Sequence, residues 1–292
     1  MDRQTPIQRD VTMVEVGPRD GLQNERAIVP TDIKVAFIEA LADAGLPVIE
    51  ATSFVSPRAV PQLADAGEVM RRIRRKPGVR YPVLVPNERG LDRALEVGVD
   101  AIALFTAATE AFCQANIRCS IDESFERFAP VVERARAAGL WIRGYVSVAF
   151  DCPYSGRVEP DSAVSVAERL LHLGCDELCL ADTIGTAQPD DVLRLLDRAR
   201  ARLPFPLLAL HFHDTHGKAI DNVVTAYREG IRIFDGAASG LGGCPFAPGA
   251  PGNVATERVV EAFEELGVRT GVDRQAVIDA AMRLRSALGA PA

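Results

Sequence analysis

Leu207-Leu-Ala-Leu-His-Phe-His-Asp-Thr-His-Gly217 is the stretch around which the rest of the sequence can be organised. It begins with an apolar run of strand length, after which His211 and His213 follow two residues apart. On an extended chain both imidazoles therefore point to the same face. Two imidazoles on one face can share a metal ion, whereas at an ordinary strand end they would only hydrogen-bond to neighbouring groups. This stretch alone leaves both interpretations open.

Eight short apolar or β-branched runs predict strands, and longer segments with helical spacing lie between them. Strands alternating with helices, without a linker or a composition break, predict an α/β fold whose parallel sheet closes into a (β/α)8 TIM barrel. An open doubly wound sheet is the alternative. The barrel would span about residues 11–267 of a single catalytic domain, with an additional C-terminal helix at about 273–289. The predicted strands are Val11–Val16, Pro47–Ala51, Tyr81–Val85, Ala101–Phe105, Ile142–Val148, Glu177–Ala181, Leu207–His213 and Ile231–Asp235.

Helix boundaries can be predicted from capping residues. The first helix is expected from about Asp32 to Ala44, with Thr31 as its N-cap. After the fourth strand, Ser120-Ile-Asp-Glu123 predicts a capping box, and Pro130 predicts a kink or a break in the helix that follows. Later helices are predicted to start near Asp161, Asp190, Lys218 and Thr256.

The composition favours a cytoplasmic enzyme. The 292 residues would fill one barrel of roughly 250 residues with little to spare. A formal charge of −7 argues against a nucleic-acid partner. The six cysteines show no Cys-x-x-Cys spacing, which is typical of a reduced intracellular protein. We find neither the apolar core of a signal peptide nor a run of ~20 apolar residues, so we expect no membrane partner.

Polar residues occur where several predicted strands end, which is where a TIM barrel builds its chemistry. Each has a structural alternative: Asp20 could form a turn, Glu50 could pair with an arginine, and Asp182 could cap a helix. Polar residues that share one end of the strands are, however, expected of an active-site face and not of a core. The set comprises Arg19, Asp20, Glu50, Asp182, His211, His213, Cys244 and Asn253.

Closure of the barrel would bring the eighth strand beside the first. Four side chains would then converge on one side of the mouth: Asp20, His211, His213 and Asn253. A carboxylate, an amide oxygen and two imidazoles suit one divalent cation, Mg²⁺ or Mn²⁺, and zinc is the alternative because it also favours imidazole.

Two further segments are candidates for the site. The Gly- and Pro-rich stretch from Gly240 to Gly252 favours a loop that covers a site, and Cys244 within it could exchange a proton or be incidental. On the fifth strand, Arg143, Tyr145 and Ser147 share one face. They could line the interior near a substrate, or Arg143 could satisfy a buried carboxylate.

Several motifs carry a family resemblance. They are Val16-Gly-Pro-Arg-Asp-Gly-Leu-Gln-Asn-Glu25, Glu50-Ala-Thr-Ser-Phe-Val-Ser-Pro57, Asn116-Ile-Arg-Cys-Ser-Ile-Asp-Glu-Ser-Phe125, Arg143-Gly-Tyr-Val-Ser147, and Gly240-Leu-Gly-Gly-Cys-Pro245 with Gly252-Asn253. In these motifs the sequence resembles the 3-hydroxy-3-methylglutaryl-CoA (HMG-CoA) lyases, which belong to the DRE-TIM metallolyases. The likeness extends from about Val11 to Leu288. Arg26 and His216 stand where the family carries Lys and Tyr.

The resemblance implies a TIM barrel, an acyl-CoA substrate, one divalent cation and a homodimer. The implied metal ligands are Asp20, His211, His213 and Asn253. The implied residues of the reacting centre are Arg19, Glu50, Asp182, His211 and Cys244. We expect substrate contacts from Arg19, Gln23, Ser53 and Tyr145.

The implied reaction is retro-Claisen cleavage of HMG-CoA to acetoacetate and acetyl-CoA, as in leucine degradation or ketone-body formation. A divalent ion would lower the pKa of the substrate alcohol, Arg19 would stabilise the developing enolate, and Cys244 would protonate it. His211, Asp182 and Glu50 remain alternative bases. The alternative functions are cleavage of a longer branched 3-hydroxyglutaryl-CoA, condensation by a relative of isopropylmalate or homocitrate synthase, and a silent metal- or acyl-CoA-binding scaffold.

Overall fold

The computed structural model describes residues 8–25, 27–242 and 252–287, and strands and helices alternate along them. The strands are β1 (Thr12–Glu15), β2 (Val48–Ile49), β3 (Thr52–Ser53), β4 (Val83–Leu84), β5 (Ala101–Ala107), β6 (Trp141–Ser147), β7 (Asp151–Cys152), β8 (Gly156–Arg157), β9 (Glu177–Asp182), β10 (Leu208–Phe212) and β11 (Ile233–Gly236). The α-helices are α1 (Thr31–Asp43), α2 (Ala66–Arg72), α3 (Glu88–Leu95), α4 (Glu110–Ile117), α5 (Ile121–Ala137), α6 (Pro160–Leu173), α7 (Pro189–Arg200), α8 (Ala219–Arg228), α9 (Thr256–Glu265) and α10 (Arg274–Ala287).

The main sheet of the described residues is parallel and has the strand order β2-β1-β11-β10-β9-β6-β5-β4-β3. Its two ends, β2 and β3, are consecutive pieces of one segment, separated by Glu50 and Ala51. The Glu50 N–H donates to the Glu15 carbonyl at 2.8 Å, and the Ala51 N–H donates to the Pro82 carbonyl at 2.9 Å on the other side. Because this segment bonds to both neighbouring strands, the sheet closes into a ring. The predicted TIM barrel is confirmed, and the open doubly wound sheet is wrong.

The ring is packed on both faces. All six residues of β9 are buried, as expected of a parallel strand with helices outside and side chains inside the barrel. α10 packs outside the ring against α1, and the Asp273 N–H donates to the Ala44 carbonyl at 2.8 Å. The predicted additional helix is therefore present, although its predicted end at 289 lies outside the described residues. No described helix is long and apolar enough to cross a membrane.

Three predicted local features differ from the structure. Thr31 is the first residue of α1 and not its N-cap, because its hydroxyl donates to Asp65 instead of accepting from the helix. Pro130 does not divide α5, since it lies on a partly exposed side where water can solvate the carbonyl left unpaired. The seventh strand is shorter than predicted because Leu207 lies in a 3₁₀ turn and His213 pairs with Asn253 outside the main ladder.

Glu15, at the end of β1, joins the first strand of the ring to the last. Its Oε1 accepts from the backbone N–H groups of Gly17 at 2.8 Å and Ala238 at 2.9 Å. Its Oε2 accepts from the Thr256 hydroxyl at 2.7 Å, at the start of α9. Burial raises the pKa of Glu15 to about 7. This carboxyl group therefore fixes the end of β1 beside the segment that follows β11.

Candidate active site and metal centre

A cavity of about 610 Å³ lies at the carboxyl ends of the ring strands. This is the end at which TIM barrels place catalytic residues, and the cavity is of ligand-binding size. The residues predicted from sequence that line it are Arg19, Asp20, Gln23, Tyr145, Ser147, His211 and His213.

A tight helical turn after β1 directs two charged side chains into this cavity. The carbonyl of Val16 accepts from three successive N–H groups, those of Arg19 at 3.1 Å, Asp20 at 2.7 Å and Gly21 at 3.3 Å. Pro18 suits the first turn of such a helix because it has no N–H to leave unpaired. The turn leaves Arg19 and Asp20 side by side at the mouth of the barrel.

Arg19 is held by two carboxylates and lies beside an aromatic ring. Its Nη1 donates to Asp20 Oδ1 at 2.5 Å, and its Nη2 donates to Glu50 Oε2 at 2.7 Å. The Tyr145 hydroxyl donates to the same Glu50 oxygen at 3.1 Å, and the guanidinium carbon is 5.6 Å from the Tyr145 ring centroid. Burial alone would lower the pKa of Arg19, but Glu50 and Asp20 outweigh it and raise that pKa. The guanidinium is therefore a fixed positive charge in the cavity.

Asp20, His211 and His213 form a cluster with the geometry of a metal site. One ligand atom from each side chain lies within 4.8 Å of the other two, and the imidazole centroids are 5.1 Å apart. Burial alone would raise the pKa of Asp20, but Arg19 and the two imidazoles hold it at about 2. Burial, and to a lesser extent the neighbouring His211, lowers the pKa of His213 to about 3. The cluster therefore offers an ionised carboxylate and a neutral imidazole, the forms that bind metals.

Asn253 completes the cluster from the segment after β11. Its Nδ2 donates to Asp20 Oδ2 at 2.9 Å and to the Leu241 carbonyl at 3.0 Å. Among the described residues, neither Asn253 Oδ1 nor His213 Nδ1 has a hydrogen-bond partner, although both atoms are buried. Buried acceptors without partners are costly unless something else binds them. The oxygen and nitrogen donors of this cluster therefore fit a divalent cation.

Gly242, in the described part of the Gly- and Pro-rich stretch, lies against the cluster. A side chain here would meet Gly21 Cα at 2.9 Å and Asn253 Nδ2 at 3.0 Å, and the residue has a φ of +91°, so glycine suits it. The Gly242 carbonyl accepts from the Asn253 N–H at 3.3 Å. Cys244 lies two residues further along the chain, outside the described residues, as does Arg26. The structure therefore leaves the role of Cys244 as a prediction.

Two predicted site residues make backbone contacts. Asp182 ends β9, and its carboxylate accepts from the N–H groups of Thr186 and Ala187, both at 3.1 Å. Burial raises the pKa of Asp182 to about 7. The Ser53 side chain is fully buried, and its hydroxyl accepts from the Val55 N–H at 3.2 Å. Neither residue is among those that line the described cavity. Gln23, which was also predicted to contact the substrate, does line it and donates to Asp20 at 3.1 Å.

A buried charge network lies behind His211, and two of its members, Asp235 and Glu177, were not predicted as site residues from the sequence. Asp235 Oδ2 lies 3.2 Å from His211 Nδ1, and Asp235 Oδ1 accepts from Arg143 Nη2 at 2.5 Å. Arg143 Nε is also 3.2 Å from Glu177 Oε1. Of the two roles considered for Arg143, the structure therefore shows the second, in which it pairs with buried carboxylates. Tyr145 and Ser147 line the cavity. The signal in the sequence was Asp235, a charged residue at an inward-facing position of an apolar strand.

Comparisons with known proteins agree with this geometry. The HMGL-like family profile matches residues 10–283. The cytoplasmic 3-hydroxy-3-methylglutaryl-CoA lyase of Rattus norvegicus is 52% identical over 270 residues, which are 92% of this chain and 79% of that protein.

Two solved structures are similar over almost their whole length. The HMG-CoA lyase of Brucella melitensis is 51% identical, with a TM-score of 0.93, covering 96% of this chain and 99% of that one. An HMG-CoA lyase of Acinetobacter baumannii, in complex with coenzyme A and 3-methylmalate, is 40% identical, with a TM-score of 0.91 and coverage of 96% and 92%. Since the family profile and these relatives span nearly the entire chain, the protein belongs to the HMGL-like family.

Proposed function

We propose that this protein is a metal-dependent carbon–carbon lyase that cleaves HMG-CoA to acetoacetate and acetyl-CoA. The observation that carries the proposal is the juxtaposition of Arg19 and Asp20, after β1, with His211 and His213, at the end of β10. Ring closure creates this juxtaposition from opposite parts of the sequence. Relatives that share about half of the residues over nearly the whole chain bear the name of this lyase.

The reaction requires one carbon–carbon bond to break, one proton to leave an oxygen and one proton to be added to a carbon. The hydroxyl on C3 loses its proton, the C2–C3 bond breaks, and a ketone forms at C3, which gives acetoacetate. The electron pair of the broken bond becomes the enolate of acetyl-CoA, which then takes up a proton on carbon. The site therefore has to stabilise an enolate oxygen and to transfer protons at two positions.

Four residues are proposed to hold the divalent cation: Asp20, His211, His213 and Asn253. When bound, such a cation polarises the substrate hydroxyl and lowers its pKa. A carboxylate and an amide oxygen beside two imidazoles favour Mg²⁺ or Mn²⁺ over zinc. The buried Asn253 Oδ1 and His213 Nδ1, which lack partners among the described residues, support this assignment.

Arg19 is proposed to stabilise the enolate oxygen. Glu50 and Asp20 fix its guanidinium, and the Tyr145 hydroxyl fixes Glu50 in turn. Because the guanidinium is already held in place, it loses little orientational freedom when negative charge develops on the substrate. It can therefore stabilise the transition state more than the bound substrate. Gln23 and Tyr145, which also line the cavity, are proposed as substrate contacts. Ser53, whose hydroxyl is used by backbone groups, is better suited to fixing the loop after β3.

His211 can serve either as a metal ligand or as the base, but not as both. Asp235 occupies one ring nitrogen, which leaves a single nitrogen free to bind a cation or a proton. We assign that nitrogen to the cation. Asp182 and Glu50 then remain as the candidates for removing the hydroxyl proton.

Cys244 is proposed to protonate the enolate carbon. A thiol with an ordinary pKa of ~8.5 is protonated near neutral pH and can act as an acid. The support is the position of Gly242 against Gly21 and Asn253, because Cys244 follows Gly242 by two residues in the sequence.

The test is acetoacetate release from HMG-CoA by the purified protein. We expect release that stops with chelator and returns with Mg²⁺ or Mn²⁺. Incubation with acetyl-CoA and a 2-oxo acid tests the condensing alternative, and a longer branched 3-hydroxyglutaryl-CoA tests the acyl-chain alternative. Metal binding without cleavage of any thioester would leave only the scaffold alternative.

Three broader proposals accompany the reaction. We propose that the chain forms one catalytic domain and a homodimer, which limited proteolysis and light scattering would check. We propose a cytoplasmic location, which fractionation of the source cells would check. We also propose a role in leucine degradation or ketone-body formation. If this is right, deletion of the gene should impair growth on leucine or the production of acetoacetate.

A further inference from the structure

Two neighbouring segments form adjoining walls of the active-site cavity. The first wall, residues 22–25 after β1, contributes Gln23 and Asn24 to the lining. The second wall, residues 55–63 after β3, contributes Val55, Ser56, Ala59 and Val60. Because β1 pairs with β2, which leads directly into β3, the two walls leave the barrel side by side. The shape of the cavity therefore depends on how these walls are fixed to each other.

Gln62 joins the second wall to the first. Its Nε2 donates to the Glu25 carbonyl at 2.9 Å. Glu25 closes the helical turn that follows β1, and its own N–H donates to the Leu22 carbonyl at 3.2 Å. Carbonyl groups at the end of a helical turn have no partner within the turn, so the Gln62 amide supplies one from outside. The first wall is thus held at the end that lies away from β1.

Lys34, on α1, fixes Gln62 from behind. Only 3% of this lysine is exposed, and its Nζ donates to the Gln62 carbonyl at 2.5 Å and to Asp65 Oδ1 at 2.6 Å. The other carboxylate oxygen of Asp65 accepts from the Thr31 hydroxyl at 2.7 Å. A buried ammonium group is costly unless it is paired and hydrogen-bonded. Here one of its bonds goes to the backbone of the residue that joins the two walls.

We infer that Gln62 and Lys34 are positioning residues that hold Gln23 and Asn24 in place for the substrate. This inference rests on the proposed function, in which Gln23 contacts the substrate. The first wall is fixed near β1 by Asp20, which accepts from the Gln23 side chain at 3.1 Å, and at its other end by Gln62. With both ends fixed, the amide side chains facing the cavity have less freedom to lose when the substrate binds.

The inference is tested with Gln62→Met, which removes the N–H donor while keeping a side chain of similar length. Hydrogen exchange of the Mn²⁺-loaded protein, measured by mass spectrometry, should be about two- to tenfold faster at residues 22–25, as loss of one neutral hydrogen bond allows. The KM for HMG-CoA should rise by a similar factor. The Kd for Mn²⁺ should not change, because Arg19 and Asn253 still hold Asp20.

Thr31→Val is the matched control. It removes a hydroxyl from the cluster of Lys34 and Asp65 without touching Gln62, so it should lower Tm while leaving the exchange of residues 22–25 and the KM unchanged. If this control raised the KM as much as Gln62→Met does, general loss of stability would explain both, and the inference would be overturned.

A double variant tests whether Gln62 acts through the first wall. Gln23→Ala should raise the KM by itself, and adding Gln62→Met should raise it by less than the product of the two single effects, because both changes act on one segment. A KM that equals the full product would mean that Gln62 acts elsewhere and would overturn the inference.

Hydrogen exchange separates this inference from the proposed function because it needs no turnover. If the wild type cleaves no thioester, the lyase proposal fails, but faster exchange at residues 22–25 in Gln62→Met still supports the positioning of Gln23 and Asn24 by Gln62. Unchanged exchange in Gln62→Met overturns the inference whether or not the protein is a lyase. Faster exchange with an unchanged KM in an active enzyme overturns it as well.

Discussion

Replacing Asp235 by Asn would test how the protein prepares His211 for its role. Asp235 is buried and lies between two partners, with Oδ2 3.2 Å from His211 Nδ1 and Oδ1 2.5 Å from Arg143 Nη2. A carboxylate can only accept the His211 N–H, which leaves the other ring nitrogen free to bind a cation. An amide can instead donate to Nδ1 and favour the tautomer whose outer nitrogen carries the proton. The substitution is nearly isosteric, so it changes charge and hydrogen bonding more than volume.

The expected magnitudes follow from these contacts. Losing the partner of a ligating histidine typically weakens metal binding about 10–100-fold, which is roughly 1.4–2.7 kcal/mol. Removing one partner of a buried ion pair costs about 3–5 kcal/mol, and we expect the lower end because Arg143 keeps Glu177 at 3.2 Å. For a chain of 292 residues, about 3 kcal/mol corresponds to a fall in Tm of roughly 5 °C.

Calorimetric titration with Mn²⁺ and thermal unfolding would measure the two effects separately. Glu177→Gln is the matched control because it removes a carboxylate from Arg143 without touching His211. We expect this control to lower Tm while leaving the Kd for Mn²⁺ unchanged. A folded Asp235→Asn variant that binds Mn²⁺ as tightly as the wild type would refute the positioning role of Asp235.

Three other substitutions give distinct expected outcomes. Cys244→Ser should keep metal and substrate binding while kcat falls by about 10²-fold or more; a near-normal kcat would remove the thiol from the mechanism. In Arg19→Lys, the lysine has no rigid fork of N–H donors with which to hold both Glu50 and Asp20. We therefore expect kcat to fall by about 10²–10³-fold while Mn²⁺ still binds. Weaker metal binding with a normal kcat at saturating metal would contradict this. Burial raises the pKa of Glu15 from 4.5 to about 7, so the folded protein keeps a proton that the unfolded chain releases, and the free energy of unfolding should fall as pH rises between these values. Urea unfolding at pH 5 and at pH 8 would measure this loss, which should be roughly 3 kcal/mol in the wild type and absent in Glu15→Gln. If the variant kept the pH dependence of the wild type, Glu15 would not be its source.

The sequence predicted those parts of the fold that depend on local patterns. Parallel strands that are buried on both faces read as apolar runs, so each strand of the ring could be located. The capping box at Ser120 and Glu123 was also predicted, because its two hydrogen bonds are local. The division of the second strand at Glu50 was not, because it depends on how that segment meets β1 and β4 at the same time.

The proximity of Asp20, His211, His213 and Asn253 could be predicted because these residues lie at or after the ends of strands that a closed barrel brings together. Asp20 and Asn253 are far apart in sequence, and only ring closure places the Asn253 amide 2.9 Å from Asp20. Long-range pairs within the core lack such a signal. The contacts of Asp235 with His211 and Arg143 depend on which side chains face each other across the barrel interior, which strand patterns do not specify.

The most direct test of the account is the position of the cation. Crystals grown with Mn²⁺ would give an anomalous difference map in which the account predicts one strong peak in coordinating distance of Asp20, His211 and His213, close to Arg19. A peak elsewhere, or none at this cluster in protein that requires Mn²⁺ for cleavage, would contradict the account.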